Sequence, residues 1–284
     1  MRKPPFPADY WRLLEQKSRV IRRAAREHSH PPFFSVVTAT LNRSAVLERA
    51  IRSLRSQEER DYEHIVVDGG SSDATVELLQ NADTGVDVWL SEPDAGISDA
   101  LNKGVSLASG DWVILLHSDD QLAPGALGYW RRMADSGGEA DILSCGIRFV
   151  EENGRTAWEV ASNPDRIERG MSMPHPGMAV KRTLYERIGL FRTDYRIAMD
   201  YEFTLRALKL GAKIRSDAAV STLMQTGGIS GRQMFRSRNE NLRARVSSFG
   251  FRPWMLAHYA SEVTPLALGQ LLRLSAGLRR FFKQ

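Results

Sequence analysis

The chain is poor in cysteine. Cys145 is the single one in 284 residues, so no internal disulfide framework can form. Inside an apolar run it reads as a small core residue, and its solitude fits a reducing compartment. No stretch approaches the ~18 consecutive apolar residues of a membrane span. The N-terminus carries basic residues but no apolar core of the kind a secretory signal needs. The expectation is therefore a cytoplasmic protein. The dinucleotide fingerprint Gly-x-Gly-x-x-Gly and the P-loop are both missing. So are internal repeats and low-complexity tracts. The aromatics at the basic ends fall in no RNA-binding pattern of base-stacking residues, which argues against nucleic acid as a partner.

What is present is an ordinary globular composition, 42% hydrophobic and 26% charged, with a formal net charge of +5. The positive excess sits at the ends. Arg2, Lys3, Arg12, Lys17, Arg19, Arg22, Arg23 and Arg26 crowd the first thirty residues, and Arg273, Arg279, Arg280 and Lys283 the last dozen. Such ends suit anionic lipid or phosphorylated substrates.

The pattern between them is that of β-α units. Phe33–Thr38, His64–Asp68, Val86–Leu90 and Trp112–Leu116 are short apolar runs that read as buried strands. Helical spacing follows each: Val46, Leu47, Ala50, Ile51 and Leu54 mark one helix face, with Asn42 or Ser44 as its cap, and helices are predicted over 74–80 and 97–107. Pro124 is placed in the first turn of another helix running to Ala134. The fourth strand ends abruptly in Asp119-Asp120. On that pair alone, a turn and a metal site are equally good readings. Ligands of open α/β sheets sit beyond the carboxyl ends of strands. There Asp68, Asp94, Asp99, Asn102, Asp119 and Asp120 would converge, and a cation or donor-rich ligand would relieve their repulsion.

The second half changes character. Residues 142–150 and 155–160, joined by Asn153-Gly154, predict an antiparallel hairpin. His175 lies between two prolines ahead of a strand and a helix over 182–188. Asp200 is placed to cap a helix over 201–210. Leu223–Ser230, with paired glycines, reads as a lid loop. From Gln233 the chain is helical up to a break at Phe249-Gly250-Phe251. Two segments admit two readings each. A helix from Asp9, with Trp11, Leu14, Ile21 and Ala25 on one face, either packs on its own chain or lies on an anionic membrane; so does the leucine-rich 266–282.

Five blocks, taken in order, resemble glycosyltransferase family 2 enzymes of the GT-A fold. They are Phe34–Arg43 (FSVVTATLNR), Ile65–Thr75 (IVVDGGSSDAT), Ser91–Gly104 (SEPDAGISDALNKG), Leu115–Asp120 (LLHSDD) and Ile197–Glu202 (IAMDYE). The third is similar to that of bacterial transferases building colanic-acid-like surface polysaccharides. The resemblance implies a mixed α/β sheet flanked by helices, in three parts: a basic extension over 1–31, the GT-A domain over 32–232, and a C-terminal amphipathic helical segment over 233–284. It implies an inverting, non-processive transfer from a nucleotide-diphosphate sugar to a glycan or lipid-linked acceptor. The Gln-x-x-Arg-Trp block of processive synthases is missing. Mg2+ or Mn2+ would be the cofactor, and the inner face of the membrane a place for peripheral contact. Position by position, Thr38, Thr40 and Asp68 would border base and ribose, and Asp94, Asp99, Asn102 and Lys103 the nucleotide sugar. Asp119 would hold the metal, with Asp120 assisting and His117 standing where the family has an acid. Asp200 would be the general base, and His175 and residues 227–230 would border acceptor and diphosphate. Gly69 replaces a second acid common in the family. A nucleotidyltransferase and a non-enzymatic sugar-nucleotide-binding scaffold are the competing readings.

Overall fold

The computed structural model describes residues 18–23, 30–226 and 233–265. Ten strands form one mixed sheet: β1 (Ile21–Arg22), β2 (Phe34–Thr40), β3 (Tyr62–Asp68), β4 (Val88–Ser91), β5 (Trp112–Leu115), β6 (Gln121–Leu122), β7 (Ile142–Val150), β8 (Thr156–Val160), β9 (Met178–Lys181) and β10 (Ile214–Gln225). Their order is β1-β4-β3-β2-β5-β9-β7-β10-β6, with β8 on β7. Strands β4, β3, β2 and β5 run parallel. β9 then enters antiparallel between β5 and β7. The expected shift toward antiparallel pairing is made within one sheet, by β9, β8 and β6, while β7 and β10 pair parallel.

Helices cover both faces: α1 (Ser44–Arg55), α2 (Thr75–Gln80), α3 (Ile97–Leu107), α4 (Ala126–Asp135), α5 (Arg182–Ile188), α6 (Met199–Lys209), α7 (Met234–Phe249), and α8 over 253–265. Strand β2 shows why both faces must be covered. Phe34 and Val36 enter one core with Ala50, Leu54 and Trp130, while Val37 and Ala39 enter the other with Leu101 and Val105. Period-two alternation in a strand apolar on both sides leaves no solvent face. Gly104 brings α3 close to β2, since a Cβ there would collide with Val37.

Several sequence expectations are corrected. Ile21–Arg22, expected in a helix, is extended and pairs with Trp89 and Val88 at the sheet edge. The rest of that expected helix, and 266–282, lie outside the described residues. Neither Asn42 nor Ser44 caps α1; the Asp73 carboxylate, from the next loop, accepts Ser44 N–H at 3.1 Å. Pro124 precedes the Gly125 cap of α4 instead of lying in its first turn. Residues 214–225, expected as a loop at their end and unassigned before it, form the long strand β10, parallel to β7. Its register shifts between Ser216 and Thr222, and that irregularity hides the alternation by which strands are read.

Candidate active site

From β2 the chain moves outward to β3 and β4, then returns to the other side of β2 as β5. The crevice between the carboxyl ends of β2 and β5 is therefore a topological switch point, the expected place for a ligand. Arg43, just beyond β2, reaches across it to Asp119, just beyond β5, at 3.7 Å. The Arg43 and Asp119 side chains keep 48% and 34% of their surface exposed, so a ligand can reach both.

One loop network aims Arg43. Asn42 N–H donates to Ser71 Oγ at 2.7 Å, and Asn42 Oδ1 accepts from Ser72 N–H at 2.8 Å. Arg43 N–H donates to Thr75 Oγ1 at 3.3 Å. Asp68, buried at the end of β3, accepts Ser71 N–H at 3.0 Å and the Ser91 hydroxyl at 2.6 Å, and Ser71 Oγ bonds its other oxygen. Asp73 is held to a pKa of about 2, chiefly by the Thr75 hydroxyl and with help from Ser44 N–H. The Gly-Ser-Ser-Asp stretch thus spends its polar groups on joining two loops.

The β4–α3 loop is braced in the same way. Lys103 is buried, with its ammonium 2.7 Å from Glu92, 3.4 Å from Asp99 and 3.4 Å from the Pro93 carbonyl. Burial alone would lower its pKa, but Glu92 and Asp99 outweigh burial and raise it. An ammonium has three donors, and these three acceptors use them. Asp99 also accepts Ala95 N–H at 3.1 Å. Asp94 Oδ1 accepts Gly96 N–H at 2.7 Å, and its other oxygen fills the space over Gly69 where a Cβ would stand. A carboxylate from the β4–α3 loop therefore lies beside the position at which the family pattern carries an acid.

Beyond β5, Asp120 is buried. Burial first, and then the charge of Asp119, push its pKa well above the usual carboxylate range. Its Oδ2 has no hydrogen-bond partner among the described residues, and the same holds for the buried Thr40 hydroxyl and for His175 Nδ1. His117 is lowered by burial against the pull of Asp119, and His175 is lowered to about 3 by burial and by His117. Both imidazoles are thus biased to the neutral form. His175 packs edge-on against Phe191, with ring centroids 5.7 Å apart.

Asp200 stands in the first turn of α6 but is not its cap. The cap position is Ala198, and the Asp200 side chain accepts Tyr201 N–H at 2.7 Å. Burial raises Asp200 to about 6, and the charge of Glu240 adds to the rise. The loop before α6 is tied to α3: Ser98 Oγ donates to Tyr195 O at 3.1 Å, and Arg196 donates to Ala95 O at 3.0 Å. Asn102 bridges the same two elements, with Nδ2 on Phe191 O and Oδ1 on Phe191 N–H, each at 2.8 Å.

These positions revise the expected contacts. Thr38 lies inside the sheet, fully buried, with its hydroxyl 3.1 Å from His64 Nε2, so it does not border a ligand. Asn102 is fully buried and spends its amide on Phe191. The Lys103 donors are taken up within the loop. These two residues brace the site. Thr40, Asp68, Asp94, Asp99, Asp119 and Asp120 do gather at the expected strand ends and the β4–α3 loop. His175 joins His117 beneath Asp119, while Asp200 enters from α6. Residues 227–230 lie outside the described residues. Two further charged residues carry no local mark of a role. Arg43 lies within the first block, and its pairing with Asp119 depends on the strand order. Glu240 has no local signal, because its backbone partners lie 42 to 44 residues earlier in the chain.

A parallel half with acids at its strand ends, continued by a mixed, partly antiparallel half in the same sheet, is the GT-A architecture of nucleotide-sugar transferases. The sequence model of glycosyl transferase family 2 matches residues 35–202, and the chain belongs to that family. It is a glycosyltransferase. It is 33% identical over 180 residues to an uncharacterized glycosyltransferase of Mycobacterium tuberculosis, covering 62% of this chain and 69% of that one. It is 37% identical over 132 residues to the GalNAc(5)-diNAcBac-PP-undecaprenol beta-1,3-glucosyltransferase of Campylobacter jejuni, covering 45% of this chain and 42% of that one. Two solved structures share the fold. S. aureus TarS 1–349 in complex with UDP-GlcNAc superposes with a TM-score of 0.59 at 19% identity, over 81% of this chain and 71% of that one. The mannosyltransferase PcManGT of Pyrobaculum calidifontis, in complex with GDP-Man and Mn2+, gives 0.58 at 17% identity, over 95% and 86%.

Proposed function

We propose that this chain is an inverting, metal-dependent, non-processive glycosyltransferase that moves a sugar from a nucleotide-diphosphate sugar to a hydroxyl of a lipid-linked glycan, in the building of a surface polysaccharide or glycolipid. The observation that carries the reading is Asp200. It is a half-buried carboxylate at the start of α6, with a pKa of about 6 and, among the described residues, no cation paired to it. Such a group is ionised at neutral pH yet basic enough to take a proton from a hydroxyl. As that oxygen attacks the anomeric carbon, the nucleoside diphosphate leaves from the opposite face. One displacement inverts the configuration and needs no carboxylate nucleophile.

Among the described residues, no group of three or more His, Cys, Asp or Glu is arranged to hold a metal. The site still fits one divalent ion of the Mg2+ or Mn2+ type. Such ions bind through one or two carboxylates and complete their shell with substrate phosphates and water. Asp119 is the accessible carboxylate, and Asp120, with its unpartnered Oδ2, stands behind it. When bound, the ion offsets the charge that develops on the diphosphate. Arg43 adds a fixed cation on the β2 side of the crevice. Thr40 and Asp94 line the nucleotide side, with Asp68 and Asp99 holding the loops that present them. His175 packs below. The UDP-GlcNAc and GDP-Man complexes of the structural neighbours support a nucleotide-sugar donor, and the undecaprenol-linked acceptor in the name of the Campylobacter relative supports a lipid-linked acceptor.

We extend the proposal to a peripheral membrane contact. No helix among the described residues is long and apolar enough to cross a membrane. Phe251, Trp254 and Leu256, at the start of α8, are exposed just before the basic C-terminal sequence. Pelleting with anionic liposomes by the full chain, and not by residues 1–252, supports the contact; equal and negligible pelleting removes it.

Transfer itself is tested by incubating the purified chain with a panel of nucleotide sugars, Mg2+ or Mn2+, and lipid-linked acceptors. At least one donor–acceptor pair should turn over and be stopped by EDTA. Absence of both turnover and metal-dependent nucleotide binding overturns the proposal.

A further inference from the structure

Glu240 lies in the middle of α7, 40 residues from Asp200 and outside the segment matched by the family model. It is buried, at 8% exposure. Its carboxylate does not face solvent or a distant cation. Instead it accepts three consecutive backbone N–H groups at the entrance to α6. Oε2 accepts from Arg196 at 3.0 Å, Ile197 at 2.8 Å and Ala198 at 3.0 Å, and Oε1 lies 3.1 Å from the Arg196 nitrogen. The exposed Arg236, one turn earlier on α7, holds Oε1 at 3.2 Å. Successive N–H groups converging on one anion form a concave nest. The start of a helix carries positive partial charge, which favours an anion there. Ala198 offers no side chain to cap α6, so the capping group comes from another helix.

We propose that Glu240 is a positioning residue for Asp200, fixing the backbone that leads into the first turn of α6 and setting a second negative charge beside the base. The inference rests on Asp200 being the base. Two consequences follow from the geometry. The loop over 196–198 is tied at three consecutive N–H groups to one carboxylate. The charge of Glu240 also opposes ionisation of Asp200, in the direction found for that group. Glu240 itself stays charged: burial opposes this, but the three N–H groups and Arg236 outweigh it and lower its pKa. Among the described residues, the groups facing the pair are the N–H groups of residues 196–198, 200 and 201, with Arg236 on the α7 side.

The test is a set of pH–rate profiles on the full chain. In Glu240→Gln the charge is lost and one acceptor oxygen becomes a donor that faces N–H groups. We expect kcat to fall roughly tenfold or more and the acid limb of kcat to move down by roughly half a pH unit, with donor KM within about twofold of wild type. Glu240→Asp keeps the charge on a side chain one methylene shorter. Its kcat should fall while the acid limb stays in place, and it serves as the readout if the glutamine variant does not fold. Wild-type kcat with an unmoved acid limb in the variants that fold overturns the role of Glu240. Full activity of Asp200→Asn instead overturns the assignment of the base, and the two failures are thereby told apart.

Discussion

Asp200→Asn is expected to lower kcat for sugar transfer by about 10²–10⁴-fold, the range for removing a general base. The change keeps the shape of the side chain, including an oxygen able to accept Tyr201 N–H, so the helix start survives. Donor affinity should stay near wild type, because Asp200 enters from α6, apart from the β2–β5 crevice. The pH dependence follows from the sign of the shift. Burial, and then Glu240, raise Asp200 to about 6. Below that pH the carboxyl carries a proton and cannot accept another. Wild-type kcat should therefore rise with pH through about 6 and level off above it. The asparagine variant should lack that limb. Its thermal stability should not fall, because the amide carries no charge to be desolvated in the half-buried site. Loss of turnover without loss of stability is the signature of a residue kept for chemistry.

Asp119→Asn should have an effect of similar size by a different route. Its carboxylate is the accessible acid at the switch point. Losing the site for a divalent ion removes several kcal/mol of charge stabilisation, roughly a 10³-fold drop in kcat/KM. Asp120 cannot take over: burial, which remains when the Asp119 charge is gone, still raises its pKa, and the residue is only 2% exposed. Arg43 would be released from Asp119 and could still hold phosphate, so weak binding that does not depend on metal should remain. Calorimetric titration of nucleotide with and without Mn2+ separates the two contributions. Wild type should bind tighter with the ion, and the variant should bind equally weakly in both conditions.

The parallel half was legible because its strands are short apolar runs with both faces buried. Its helices obey a strict spacing, as Leu47, Ala50, Ile51 and Leu54 of α1 show. The sequence also showed that carboxylates would gather where those strands end. It did not show which of them would be spent internally. Asp99 and Lys103 are four residues apart on α3, a spacing that pairs charges on a helix, yet Glu92 and the Pro93 carbonyl were needed to exhaust the ammonium. Thr38 sits two residues short of the strand end, where its hydroxyl meets His64 of the neighbouring strand, a pairing that only the register reveals. β10 escaped because its register shifts between Ser216 and Thr222, and because Ser216 and Asp217 fall in its exposed stretch. Glu240 escaped for a different reason. A carboxylate that caps a helix far along the chain leaves no mark on local periodicity.

The most direct measurement of the central claim is the anomeric configuration of the product, read by NMR from the donor–acceptor pair that turns over. A single displacement assisted by Asp200 predicts a product whose anomeric configuration is opposite to that of the donor. Retained configuration would contradict the account, because it requires either a second displacement or attack from the face of the leaving group.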